Sequence, residues 1–212
     1  CSPFASDNMD KTIDRRYASK THRPFIMMHI IGITGTLGAG KGTIVEYLKD
    51  KKGFAHFSVR EFLKEILLMQ NKPVNRDNYT LCANQLREKF GPSYIIDCLY
   101  EKALAKGCNA VIESIRTPGE FYSLRQKGNF TLFAIDADPE IRYERIKQRN
   151  SETDQITFEE FLASERREMQ SDEPHHQNIT LCISLADYKF LNNGTKEELF
   201  ELVEETLKQM GL

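Results

Sequence analysis

From residue 28 onward, short apolar runs alternate with longer stretches whose apolar positions recur every three or four residues. "MHIIGIT" is rich in β-branched residues, as suits a strand buried on both faces. A glycine-rich segment follows, then "GTIVEYLKDKKG", which places Ile44, Val45 and Leu48 on one helical face. "FAHFS" predicts a second strand, and "VREFLKEILLMQ" a helix for which Ser58 and Glu61 have capping-box spacing. "RDNYTLCANQLREKF" and "PSYIIDCLYEKALAKG" read as helices, the second opened by Pro92 and closed by Gly107. "NAVIES" is a strand, and "TPGEFYSLRQKG" a helix with Thr117 as cap, Pro118 at its first position and Glu120 at its third. "FTLFAIDA" is a strand, and "PEIRYERIKQR" a helix started by Asp138 and Pro139. After the polar break "NSETDQ" come the helices "TFEEFLASERREMQ" and "PHHQNITLCISLA", the strand "DYKFLN", and a last amphipathic helix "TKEELFELVEETLKQM" boxed by Thr195 and Glu198. Five strands separated by helices, without a repeat, predict an α/β fold in three layers: a five-stranded parallel sheet with helices on both faces. Ligands of such sheets bind at the carboxyl ends of the strands, where the glycine-rich segment, Ser58, Glu113, Asp136 and Asn192 fall.

Composition narrows the function. With 212 residues and 40% apolar positions, the chain suits one core, placed at residues 27–212. A formal charge of −2 with both signs interspersed argues against nucleic acid as partner. The five cysteines (Cys1, Cys82, Cys98, Cys108, Cys182) are odd in number and mostly set in apolar patterns, which fits reduced thiols in a cytoplasmic compartment. His175, His176 and Cys182 lack a metal-ligand spacing, and no apolar run has the length of a membrane helix. Residues 1–26 show no periodicity and read as a disordered tail; Arg15, Arg16, Lys20 and Arg23 suit an organelle-targeting peptide, but Asp7, Asp10 and Asp14 argue against one.

The chemistry begins at "GITGTLGAGKGT". Gly35 through Lys41 spells G-x-x-x-x-G-K between a predicted strand and a predicted helix, the context of a Walker A loop. Its glycines let backbone N–H groups turn inward, and the helix terminus adds positive potential, so phosphate oxygens are held largely by main chain from Gly35, Gly38, Ala39, Gly40, Lys41, Gly42 and Thr43. Lys41 reaches for the β and γ phosphates. Gly42 stands where the simple motif has Ser or Thr, and Thr43 follows it.

This G-K-G-T order resembles the loop of adenylate kinase and other nucleoside monophosphate kinases, G-x-P-G-x-G-K-G-T, with Leu37 in the proline's place. "ESIR" resembles the D-V-R segment of bacteriophage-type deoxynucleoside monophosphate kinases, with Glu113 for the aspartate. "FAHFSVREFL" resembles the entry to their monophosphate-binding helix, and "DADPEIRYERIKQR" the strand and helix that lead into their lid. "ADYKFLNNGTKEEL" resembles the last strand and helix of dephospho-CoA kinases and adenylate kinases, where the turn passes the adenine. The likeness extends to the P-loop domain fused ahead of some deoxycytidylate deaminases. It implies a P-loop NTPase fold, Mg2+ and ATP, and transfer of the γ-phosphate to a small phosphorylated acceptor: a nucleoside or deoxynucleoside monophosphate, or dephospho-CoA.

On this resemblance Thr43 and Glu113 serve Mg2+, Glu113 otherwise orienting the acceptor or capping the next turn. Ser58 touches substrate or merely caps its helix, and Arg60, Arg87 and Arg116 hold the acceptor. Arg145 and Arg149 neutralise the moving phosphoryl. Asn193 and Gly194, with Asn192, meet adenine through backbone or form an ordinary turn. Arg125, Arg142 and Arg167 read as solvated charges. The lid is short, near 149–158. The competing class is a nucleotide-binding regulatory or assembly module without turnover, kept open by Glu113 and the missing loop proline. Oligomeric state has no signature in the sequence.

Overall fold

The computed structural model describes residues 28–149, 156–169 and 176–212. The expected tail at 1–26 and most of the expected lid lie outside them. Five strands form one sheet: β1 (Ile30–Gly35), β2 (Ala55–Ser58), β3 (Ala110–Glu113), β4 (Phe130–Asp136) and β5 (Tyr188–Leu191). Their order is β2-β3-β1-β4-β5 and every pairing is parallel. The central strand β1 is buried at all six positions, which is why its sequence is an almost unbroken apolar run.

Period-two alternation splits the core between the two faces. Ile30, Ile112 and Leu132 pack on one side with α2 (Val59–Met69), α3 (Arg76–Phe90), α4 (Tyr94–Lys106) and α5 (Pro118–Lys127). Ile31, Ile33, Val111 and Phe133 pack on the other with α1 (Lys41–Lys52) and α9 (Lys196–Met210). The remaining helices are α6 (Pro139–Arg149), α7 (Phe158–Met169) and α8 (Ile179–Ser184). Phe133, fully buried between Tyr188 and Phe190, marks the centre of the second face. Burial of one such side chain contributes about 1.5–3 kcal/mol.

Helix starts follow the local chemistry. Ser58 accepts from Glu61 N–H, and Thr117 with Glu120 and Thr195 with Glu198 form complete capping boxes. Two expectations need correcting. Pro92 does not open α4, which starts at Tyr94 after Ser93; the proline instead lies against Gly119, where an added Cβ would sit 2.8 Å from it. Helix α8 is shorter than expected and begins only at Ile179, because Gln177 is drawn to the Arg116 side chain and Asn178 caps the helix by accepting from Leu181 N–H.

The register aligns the functional ends. Ser58 pairs with Glu113, Gly35 with Ile135 and Asp136 with Leu191, so the loop after β1 and the ends of the other four strands share one rim of the sheet.

Candidate active site

The loop between β1 and α1 is built by close backbone approach. Gly35 has φ +133°, and a Cβ there would lie 1.9 Å from the Ile135 carbonyl oxygen; Gly40 has φ +103°, and its Cβ would lie 2.4 Å from Asn192 Nδ2. Only glycine fits either place. Neighbouring side chains clamp the loop from outside: the Thr36 hydroxyl donates to Asp136 (2.6 Å) and the Asn192 amide to the Ala39 carbonyl (2.8 Å). Arg142, expected as a solvated charge, is 3% exposed. It donates to the carbonyls of Ala137 (2.7 Å) and Leu37 (3.3 Å) and forms an ion pair with Glu165 of α7. The loop, β4 and α7 therefore share one buried guanidinium, whose planar fork suits three acceptors at once.

Lys41 starts α1 and curls back over the loop, donating to the carbonyls of Gly35 (2.9 Å) and Thr36 (2.6 Å). Burial is the main reason its pKa falls to about 7; the charges of Arg116 and Arg142 push the same way, and Glu168 and Glu113 oppose them. The helix carries no side-chain cap and no acidic residue in its first turn, so no side chain neutralises the positive end of its dipole at the loop. Gly42 has ordinary φ, and a Cβ added to it meets nothing within 4 Å. Protein packing therefore does not demand glycine there.

At the end of β3, Glu113 accepts from the Ser58 hydroxyl (2.7 Å) and lies 3.5 Å from His56 Nε2, both at Oε1. Burial pushes its carboxyl upward, but hydrogen bonds from His56 and Ser58 and the charges of His56 and Lys41 outweigh this and hold it below the usual carboxylate range. Glu113 is thus a fixed, ionised carboxylate. Ser114, next in the chain, has φ +68°, a conformation that costs a non-glycine residue energy and concentrates at functional sites. It turns the chain so that Ile115 returns to β1 through its N–H to the Ile33 carbonyl and its carbonyl to Thr34.

Arginines from several elements gather near the loop. Arg87 of α3 is 1% exposed and donates twice to Glu120 Oε1, at 3.1 and 2.8 Å, while its Nη1 is buried without a hydrogen-bond partner. Glu120 Oε2 accepts the N–H groups of Arg116 (2.8 Å) and Thr117 (3.1 Å). The Arg116 side chain donates to Glu168 (2.8 Å) and Gln177, and Arg76 reaches the other oxygen of Glu168 at 2.7 Å. Arg60 lies over the Tyr79 ring, 5.1 Å from its centroid. Arg145 donates to the carbonyls of Asn192 (2.8 Å) and Gly194 (3.2 Å), which places its charge at the turn after β5.

One cavity of about 890 Å³ joins these parts. Lys41, Arg60, Arg76, Arg87, Arg116, Arg145, Arg149 and Lys196 line it against only Glu46, Glu113 and Glu168, so basic side chains outnumber acidic ones in a chain of formal charge −2, even though Arg87 is answered by Glu120, which does not line the cavity. Gly38, Gly40, Gly42, Thr43 and Gly194 also line it. Four expected contacts do not. Ala39 is fully buried and Gly35 is pressed on Ile135; the Ser58 hydroxyl is spent on Glu113, and Asn193 accepts from Asp138 N–H. Arg76, Glu168 and Gln177 were not foreseen, because nothing in the sequence marks residues brought together from α3, α7 and the start of α8.

Thr43 and Glu113 supply the hard oxygen atoms that suit Mg2+, which binds through few protein groups and keeps its waters and phosphate ligands. Among the described residues, no cluster of three or more His, Cys, Asp or Glu is placed to hold a metal ion. Among the described residues, no helix is long and apolar enough to cross a membrane.

A glycine-rich loop at the carboxyl edge of this parallel sheet, opening a helix with lysine, defines a P-loop protein of kinase-like fold. The chain belongs to the AAA_18 family of AAA domains, whose profile matches residues 31–172, and to the UPF0200 proteins. A UPF0200 protein of Methanococcus maripaludis is 30% identical over 186 residues, covering 86% of this chain and 98% of that protein. Two solved structures share the fold: TT1252 from Thermus thermophilus (20% identity, TM-score 0.56, covering 86% of this chain and 97% of that one) and a gluconokinase from Sinorhizobium meliloti 1021 (11%, 0.52, 87% and 98%).

Proposed function

We propose that this protein is a Mg2+- and ATP-dependent phosphotransferase acting on a small anionic acceptor, a nucleoside or deoxynucleoside monophosphate or dephospho-CoA. The observation that carries this reading is the cavity that joins the loop to a cluster of arginines, with basic side chains well in excess of acidic ones. Phosphoryl transfer depends mainly on positioning and on neutralising charge spread over phosphate oxygens, and a site for one nucleotide alone has no use for a second cationic end. The loop amides and Lys41 hold the donor phosphates, with Arg145, Asn192 and Gly194 at the base end. Thr43 and Glu113 would hold Mg2+, which would supply neutralisation of the donor phosphates' charge. Glu113, kept ionised and oriented by Ser58 and His56, also faces the acceptor. Arg60, Arg87 and Arg116 bind the acceptor's anion, and Arg149 closes over the phosphates. The fold shared with the gluconokinase supports this class.

The test is the kinetic signature of Arg116→Ala. Acceptor KM should rise well above any change in the KM of ATP. The opposite pattern would remove Arg116 from the acceptor site. A regulatory or assembly module would bind ATP and form no ADP with any acceptor.

A further inference from the structure

Two arginines lining the cavity already hold an anion, and it belongs to the protein. Glu168 spans them, Oε1 to Arg76 at 2.7 Å and Oε2 to Arg116 at 2.8 Å. It sits in the last turn of α7, where the helix dipole disfavours a carboxylate, so the guanidinia and not its own helix account for its position. Their strength shows in its acidity: burial pushes its pKa up, yet Arg116 and Arg76 bring it to about 2. Beside them Arg87, 1% exposed and lining the same cavity, keeps Nη1 without a partner. A buried N–H group of a guanidinium costs free energy unless an acceptor reaches it.

Taking the site as the acceptor end of a phosphotransferase, we propose that Arg76, Arg87 and Arg116 form an oxyanion subsite whose resident counter-anion is Glu168, and that the acceptor's phosphate or carboxylate binds by displacing Glu168. The charges favour such an exchange. Arg87 is neutralised by Glu120, so Arg76 and Arg116 present two positive charges to the one negative charge of Glu168. A phosphate dianion in its place balances both and brings more oxygen atoms to the forked donors than a carboxylate has. Displacement also makes the subsite selective: an uncharged acceptor cannot replace an ion pair it does not match, whereas an oxyanion regains the same charge-assisted bonds. Glu168 is then a specificity-determining residue and Arg76 an acceptor ligand.

The experiment measures binding, so it does not depend on turnover. The full chain, its loop first saturated with Mg2+ and a non-hydrolysable ATP analogue, is titrated with inorganic phosphate and separately with acetate, by calorimetry and by the Nε–Hε NMR signals of Arg76 and Arg116. Glu168→Gln removes the competing charge and keeps the shape; it should tighten binding of at least one probe by about tenfold or more, with shifts in both arginine signals. Arg76→Gln placed on top should abolish the gain. A gain with phosphate names a phosphorylated acceptor, and a gain with acetate alone a carboxylated one. Glu168→Gln binding both probes no more tightly than the unaltered chain would overturn the proposal, provided its thermal melt shows it folded; Glu168→Ala, which removes the carboxylate entirely, should then repeat the result. A gain without any later phosphoryl transfer would keep the subsite and sink the kinase reading, and transfer without a gain would do the reverse.

Discussion

Glu120→Ala should be among the most damaging single changes to this fold, although Glu120 lies in the first turn of α5 and in no catalytic motif. Its side chain is fully buried and answers three demands at once: the charge of Arg87, the N–H of Arg116 and the N–H of Thr117. Removing one partner of a buried ion pair strands the other, at about 3–5 kcal/mol. Loss of the reciprocal half of the α5 capping box adds about 1 kcal/mol. A total near 4 kcal/mol or more is a large share of the roughly 5–15 kcal/mol that stabilises a domain. At about 2–4 °C per kcal/mol for this size, the melting temperature should fall by roughly 8–16 °C. Urea denaturation followed by circular dichroism would measure the loss directly. The double variant Arg87→Met with Glu120→Leu, which replaces the pair by apolar volume, should recover much of it, since the penalty lies in the stranded charge. A loss under about 1 kcal/mol for Glu120→Ala would refute the claim that this ion pair anchors α3 to α5.

Two further outcomes follow from the loop. Gly42→Ala should stabilise the fold by up to about 0.5–1 kcal/mol, because its Cβ meets nothing and its φ is ordinary, yet it should raise the KM of ATP because the methyl enters the cavity that Gly42 lines; stabilisation with an unchanged KM would remove Gly42 from the nucleotide site. Lys41, with its pKa brought to about 7, is mostly neutral at pH 8, and a bound triphosphate should restore its ammonium. Nucleotide binding should therefore take up close to one proton at pH 8 and little at pH 6, read by calorimetry in buffers of different ionisation enthalpy; no uptake at pH 8 would contradict the dehydrated lysine.

Much of this was legible in the chain. Strand periodicity, the capping boxes at Thr117 and Thr195, and the spacing from Gly35 to Lys41 are local signals, written within a dozen residues each, and the structure keeps them. The parallel sheet followed from strands alternating with helices. What stayed hidden is long-range. Arg142 looked solvated because helical spacing groups it with charged neighbours, but its partners Leu37 and Glu165 come from distant segments. Arg76 has no motif around it, and only the fold brings Glu168 and Gln177 to Arg116. Ser58, left open between cap and substrate contact, caps α2 and also fixes Glu113. Positive φ at Ser114 has no sequence cue, since serine gives no sign of left-handed backbone. Arg145 was placed by family likeness at the moving phosphoryl, while its bonds run to the Asn192 and Gly194 carbonyls.

Phosphoryl transfer is followed through the γ-phosphate itself. Purified protein is given Mg2+ and γ-labelled ATP with each common nucleoside and deoxynucleoside monophosphate and with dephospho-CoA, and the products are separated. Label should appear on an anionic acceptor, with ADP formed in equal amount, and Lys41→Ala should slow transfer by about 10³-fold, the loss expected when a charge aimed at the transition state is removed. ATP binding without label on any acceptor, or full transfer by Lys41→Ala, would contradict the phosphotransferase reading.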